Sequence, residues 1–272
     1  MTSSTLPLPV PTALAKRSSF EVQRSVISAL VIRELKTRLG GKWFGAFWAF
    51  GEPLAHVLFM TFMLGTVRGR VMANVDFSVF LVTGVIPFAL FKNLSLRLMD
   101  AIDANRGLFA YRQVKPMDAF LSRALLEIVI AATVLLAALG LMEWWGIDAL
   151  PVRPLEMLGI LLMLIVAGFG TGLTLAMVTH TAPASRTLAK MIFWPFYFIS
   201  GVDFSVGTLP DEVVSWLLWN PVLHALELFR SNFMNAYHPV EEISSALVAS
   251  FAGAMLLAGL TLYRLRRDRL LT

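Results

Sequence analysis

Six long apolar runs separated by short polar loops decide what this chain can become. They lie at roughly 44–67, 77–98, 119–145, 155–179, 188–203 and 243–263, and a bilayer core takes about 20 apolar residues per helical crossing. A sequence that is 57% hydrophobic and only 15% charged has too little polar surface to cover such runs in water, so their solvent is lipid. In lipid each backbone polar group must be satisfied inside the protein, which helices achieve segment by segment. The expected fold class is therefore an all-α integral membrane protein with six transmembrane helices. Two further features are not spans.

The first is an interfacial amphipathic helix over 21–42. Val22, Val26 and Leu30 form one apolar stripe and Ile32, Leu35, Leu39 and Trp43 a second that does not align with it, so a bend is expected near Val31. Arg33, Lys36, Arg38 and Lys42 surround the second stripe, a pattern suited to the cytoplasmic interface, where anionic lipid attracts basic residues. The second is 209–236, whose halves are each too short to cross and are broken at Asn220-Pro221. A re-entrant helical hairpin before the last span, entered and left from the outer side, keeps the number of crossings even. Eight short spans would do so too, but only with severe bilayer thinning.

One membrane domain, 21–263, is thus flanked by a Pro- and Ser-containing tail, 1–20, read as disordered and without a signal peptide's apolar region, and by a basic tail, 264–272. With the N-terminus inside, only Arg68, Arg70, Arg153 and Arg230 of the 23 Lys and Arg fall on the outer side, which places both termini in the cytoplasm. The basic residues gather at span ends rather than along one face, so no nucleic-acid partner is implied.

Enzymatic constellations are missing from the sequence. The chain has no Cys, and its four His show no metal-ligand spacing, which excludes thiol chemistry and argues against a metal. It has neither a phosphate-binding GxxxxGK[ST] loop nor a GxSxG elbow, so ATP hydrolysis has to come from another chain.

Polar residues within the apolar runs need partners. Glu52 and His56 stand one turn apart beside Pro53, and either a structural pair or a polar substrate lining fits them. Glu127 has Arg123 one turn earlier as its expected partner. Gly168, Gly170 and Gly172, with Gly159, form a small-residue stripe for close helix packing. The aromatics Trp194, Phe196, Tyr197, Phe198, Phe204, Trp216 and Trp219 are what an interfacial belt produces by itself, and a surface on which sugar rings stack is compatible with them. His224, Glu227 and Ser231 recur on one side of the second hairpin arm. That side is either a hydrogen-bonded seam or a face toward sugar hydroxyls, with Asn220 expected to face a polar lumen. The loop 100–116 holds Ile102, Leu108 and Phe109, which lipid cannot reach and a protein groove would cover.

Four segments carry a resemblance: Arg33-Glu34-Leu35-Lys36-Thr37-Arg38; Trp48 with Glu52-Pro53; the loop from Ala104 to Pro116; and Trp216-Leu217-Leu218-Trp219-Asn220-Pro221 with His224, Glu227 and Arg230. Together the chain from about Phe20 to Leu271 resembles the permease subunit of ABC-type capsular polysaccharide exporters, the KpsM-like group. The resemblance implies an inner-membrane homodimer working with two cytoplasmic ATPase subunits, which bind the ATP and magnesium, while this chain binds no cofactor. It also implies a periplasmic adaptor and a lipid-linked acidic polysaccharide moved from cytoplasm to periplasm between two protomers. The segments expected to touch the ATPase are a gate helix, 21–41, with Arg33 and Glu34; the loop 100–115, with Asn105, Leu108, Phe109 and Arg112; and 180–186, with Pro183. The substrate path is expected to involve Arg38, Lys42, Trp43, Trp48, Glu52, His56, Trp194, Tyr197, Phe198, Trp216, Trp219, Asn220, His224, Glu227 and Arg230. Alternatives are a permease for another lipid-linked glycan, such as O antigen or teichoic acid, and an ion-coupled secondary transporter. The latter would show inverted repeats and helices broken at mid-membrane. A glycan-modifying enzyme would need an acid/base set, for which Glu52/His56 is the single candidate.

Overall fold

A computed structural model describes residues 18–39, 51, 55–59, 63, 75–111 and 113–267. The regular elements among them are helical. In chain order they are α1 (Ser19–Leu39), α2 (Phe77–Met99), α3 (Ala101–Asn105), α4 (Pro116–Trp144), α5 (Pro154–Thr181), α6 (Ser185–Ile199), α7 (Asp211–Leu217), α8 (Pro221–Phe233) and α9 (Ser245–Arg266). Single 3-10 turns cover Arg106–Leu108 and Val206–Thr208.

Local chemistry sets most of these ends. Asp76 caps α2 by accepting from the Ser78 amide at 2.8 Å. Pro116, Pro154 and Pro221 open α4, α5 and α8 at positions where a missing N–H costs nothing. At the far end of α9, Arg266 donates to the Met177 carbonyl at 2.8 Å and to the Thr181 hydroxyl, supplying donors that the last turn of α5 lacks.

Among the described residues four helices are long and apolar enough to cross a membrane: α2, α4, α5 and α9. They match four of the six expected spans. The run 188–203 falls on α6, whose 15 residues rise about 22 Å, short of a bilayer core of roughly 30 Å. The run 44–67 lies largely outside the described residues. The hairpin region does break at Asn220-Pro221, into the short helices α7 and α8. Helix α1 is continuously helical through Val31, from Ser19 to Leu39.

Helix α5 is the hub, touching α2, α4, α6, α8 and α9, and its small-residue stripe explains why. A Cβ on Gly172 would meet Leu98 Cβ at 2.7 Å, and one on Gly170 would meet Leu256 Cα at 2.7 Å, so α2 and α9 approach α5 at backbone distance. Matching positions rise together along α2, α5 and α9, so the three run parallel. The chain must therefore return between Thr181 and Ser245. Helix α6 begins that return, with Phe193 and Phe196 packed on Phe91 and Phe88 of α2. Helices α7 and α8 lie at the end where α2 and α5 start, where the Phe233 and Asn232 carbonyls accept from the Val152 and Arg153 amides.

Candidate functional site

At the end of the bundle where α2 and α5 finish, charged side chains tie the basic segments together. Asn105, buried at the end of α3, uses its whole amide: Oδ1 accepts from Arg33 at 2.5 Å, while Nδ2 donates to Glu34 at 3.2 Å and to the Ala101 carbonyl at 2.9 Å. Glu34 also accepts from Arg123 Nε at 2.9 Å, and Arg123 reaches the Arg97 carbonyl at 2.8 Å. Near the start of α1, Gln23 donates to buried Asp118 at 2.5 Å, and Asp118 also accepts from the Lys115 amide. Arg186 pairs with Asp100 at 3.2 Å and with Asp103, and Lys190 with Asp100 at 3.3 Å, drawing the α5–α6 turn to the same loop.

One expected pairing is corrected. Glu127 takes Arg38 at 2.8 Å and Arg97 at 3.6 Å as its cations, whereas Arg123 turns to Glu34. Helical spacing makes Arg123 available to Glu127, but a closer carboxylate on α1 claims it. A carboxylate within a span costs about 2.5–3.5 kcal/mol on insertion scales, and the two guanidinium groups offset that. Of the apolar loop residues, Ile102 differs from expectation. Ile102 is buried in the chain's own core, Phe109 is half-buried against it, and Leu108 is half-buried. Tyr111 is exposed, as is Pro183. Arg112, Lys42, Trp43, Trp48 and Glu52 lie outside the described residues.

At the opposite end, Arg230 is fully buried. It donates to the carbonyls of Gly201 at 2.8 Å and Val202 at 2.6 Å, pairs with Glu227 at 3.2 Å, and stands 3.7 Å above the Phe80 ring. Glu227 accepts from the Tyr237 hydroxyl at 2.7 Å. Burial first and the Glu227 charge second hold the Tyr237 phenol above its ordinary range, so it stays the donor. Asn220 caps α8 through the Val222 amide at 3.0 Å and donates to the Ile199 carbonyl and the Ser200 hydroxyl, linking the end of α6 to the start of α8. His224 accepts from the Ser244 amide at Nδ1, so Nε2 carries the proton given to the Leu218 carbonyl at 2.8 Å. Ser231 bonds within its own helix. The polar side of α8 is thus spent on internal partners.

His56 stands 3.0 Å from the Tyr197 hydroxyl, which donates to Asp203 at 2.5 Å. Around this network the rings divide by exposure: Trp194, Trp216 and Trp219 are each more than 70% exposed, Phe198 is about half exposed, and Tyr197 is half-buried. The structure therefore separates the expected path residues into a buried brace (Asn220, His224, Glu227, Arg230) and an exposed aromatic set. Gly84, Arg97, Asp118 and Tyr237 were not singled out from the sequence. A glycine in mid-span was the one available signal among them.

Among the described residues no group of three His, Asp or Glu is arranged to hold a metal ion. The profile of the family described as ABC-2 type transporter matches residues 25–234. Among curated proteins, the polysialic acid transport protein KpsM of Escherichia coli is 39% identical, covering 94% of this chain and 99% of its own length. The capsule polysaccharide export inner-membrane protein BexB of Haemophilus influenzae is 31% identical over 91% of this chain and 93% of its own. The protein of that description named CtrC, from Neisseria meningitidis serogroup A, is 32% identical over 79% and 81%.

Proposed function

We propose, for a chain that belongs to the ABC-2 type transporter family, the role of membrane subunit in an ATP-driven exporter of capsular polysaccharide. It is a multi-pass inner-membrane protein and not a catalyst by itself. The observation that carries the substrate class is the near end-to-end alignment with capsule permeases. The function then divides as the structure divides. At the cytoplasmic end, α1, the 100–115 segment and the turn at Pro183 form one cross-linked unit on which two ATPase subunits act, with Arg33, Glu34 and Asn105 setting its geometry and Leu108, Phe109 and Arg112 on its docking side. Both termini lie on that side, and the chain crosses six times, α6 with the residues after it making the fifth crossing.

The transported material is a lipid-linked acidic polymer that passes between two protomers, a reading supported by the packing of the described helices around a largely buried α2. Trp194, Phe198, Trp216 and Trp219 offer stacking surfaces along that path, with His56 and Tyr197 beside them. Asn220, His224, Glu227 and Arg230 hold the re-entrant lid that carries the tryptophans. Arg38, Lys42, Trp43, Trp48 and Glu52 belong to the entrance, and a periplasmic adaptor receives the polymer. Deleting the gene in its own host should leave polymer inside the cell with synthesis intact; surface polymer at the parental level would refute the reading.

A further inference from the structure

Helices α1 and α4 are joined by two rungs of opposite polarity, Glu34 to Arg123 and Arg38 to Glu127. The first is neutral in its immediate pair and is shared with Asn105 of α3. The second carries an excess cation: Arg38 engages both Glu127 oxygens, Oε1 at 2.8 Å and Oε2 at 3.3 Å, and Arg97 also faces Oε1 at 3.6 Å. Exposure separates the two arginines: Arg38 is 14% exposed and Glu127 5%, but Arg97 is 55% exposed. A cavity of about 20 Å³ is lined by Glu127 and Asn93 together with apolar Leu90, Ile130, Ala131 and Val134, and that is room for one water. If Arg38 left, Glu127 would keep Arg97 and could be hydrated, so this rung can open without stranding a bare carboxylate. The rest of α1 would remain held at Asn105.

We infer that the Arg38–Glu127 rung is a latch opened by a lipid with a net-anionic phosphate head, which meets Arg97 first, competes with Glu127 for Arg38, and so frees the end of α1 from α4. Guanidinium groups bind phosphate through paired hydrogen bonds, which suits Arg97 and Arg38 to the head group. Arg97 stands exposed in the last turn of a span, so a phosphate anchored in the bilayer by an alkyl chain is held near it at a higher local concentration than a free ion. The inference rests on the export reading and adds that the lipid end of the substrate itself releases α1, ahead of any movement of polymer.

The test uses the chain assembled with its ATPase in nanodiscs of zwitterionic lipid. Its freedom from Cys allows spin labels at Lys36→Cys on α1 and Leu125→Cys on α4, both exposed positions. Dodecyl phosphate should lengthen and broaden the distance between the labels, and inorganic phosphate at the same concentration should not. Glu127→Gln and Arg38→Gln should each show the long distance without any probe, and Arg97→Gln should need several-fold more dodecyl phosphate. An unchanged distance with dodecyl phosphate overturns the inference, as does an equal response to inorganic phosphate, a parental distance in both latch variants, or a parental response in Arg97→Gln. The readout involves no polymer, so its failure leaves the export reading standing, whereas a complex that responds yet never moves polymer counts against the export reading alone.

Discussion

Arg230 fills the space that a side chain at Gly84 would need. A Cβ at Gly84 would stand 2.7 Å from the Val202 carbonyl oxygen and 3.4 Å from Arg230 Cζ, and would overlap the guanidinium nitrogen that Val202 holds. The buried cation on α8 and the missing side chain on α2 are therefore one feature of the packing.

Gly84→Ala should destabilise the fold by about 1–3 kcal/mol through overpacking. Arg230→Met should cost more, about 3–5 kcal/mol, since Glu227 would stay buried without its cation. Denaturation midpoints in detergent test both, with Gly107→Ala as a control, because a Cβ there meets nothing within 4 Å.

Gly170→Ala should loosen α9 from α5, because its Cβ would come within 2.5 Å of the Met255 carbonyl carbon, which is backbone and cannot swing aside. Loss of about 1–3 kcal/mol is expected, against no measurable change for Gly253→Ala, which faces open space. Thermal melting of the purified chain would reveal the contrast.

The spans α2, α4, α5 and α9 were legible in the sequence because length and hydropathy decide them locally. The break at Asn220-Pro221 and the glycine stripe of α5 were legible for the same reason, each resting on neighbours in sequence. What was not legible is long-range. Arg123 is suitably spaced for Glu127 but meets Glu34, far away in sequence, and only the docking of α1 creates that choice. Ile102 looked available to a partner because a loop sequence does not disclose that α4 covers it. His224, Glu227 and Ser231 formed a visible polar side on α8, yet Tyr237 and the Ser244 amide, which occupy two members of it, carry no signal of their own.

The rung between Glu34 and Arg123 is mostly buried, its side chains 15% and 11% exposed, so each single exchange should lower stability as well as coupling, and the double exchange tests whether the pair itself carries coupling. Glu34→Arg and Arg123→Glu should each lower polymer-stimulated ATP turnover, and the double exchange should recover most of the loss. A double variant no better than either single one would show that the rung does not carry coupling.

Tyr111→Asp should weaken attachment of the ATPase about tenfold, equivalent to about 1.4 kcal/mol, while leaving the melting temperature unchanged, because the ring is 66% exposed. Phe109→Asp is the less specific probe, as Phe109 packs on a core that includes Leu98, Ile102 and Phe120. Affinity between the ATPase and nanodisc-embedded chain provides the measurement.

The most direct measurement is polymer movement in inverted proteoliposomes holding this chain with its ATPase, so that the cytoplasmic side faces the medium. Lipid-linked capsule polymer added outside should become protected from a polysaccharide lyase only when ATP is present. An ATPase unable to hydrolyse ATP should abolish that protection. Protection that proceeds equally without ATP, or that follows a proton gradient in the absence of the ATPase, would contradict the assignment of this chain as the membrane subunit of an ATP-driven exporter.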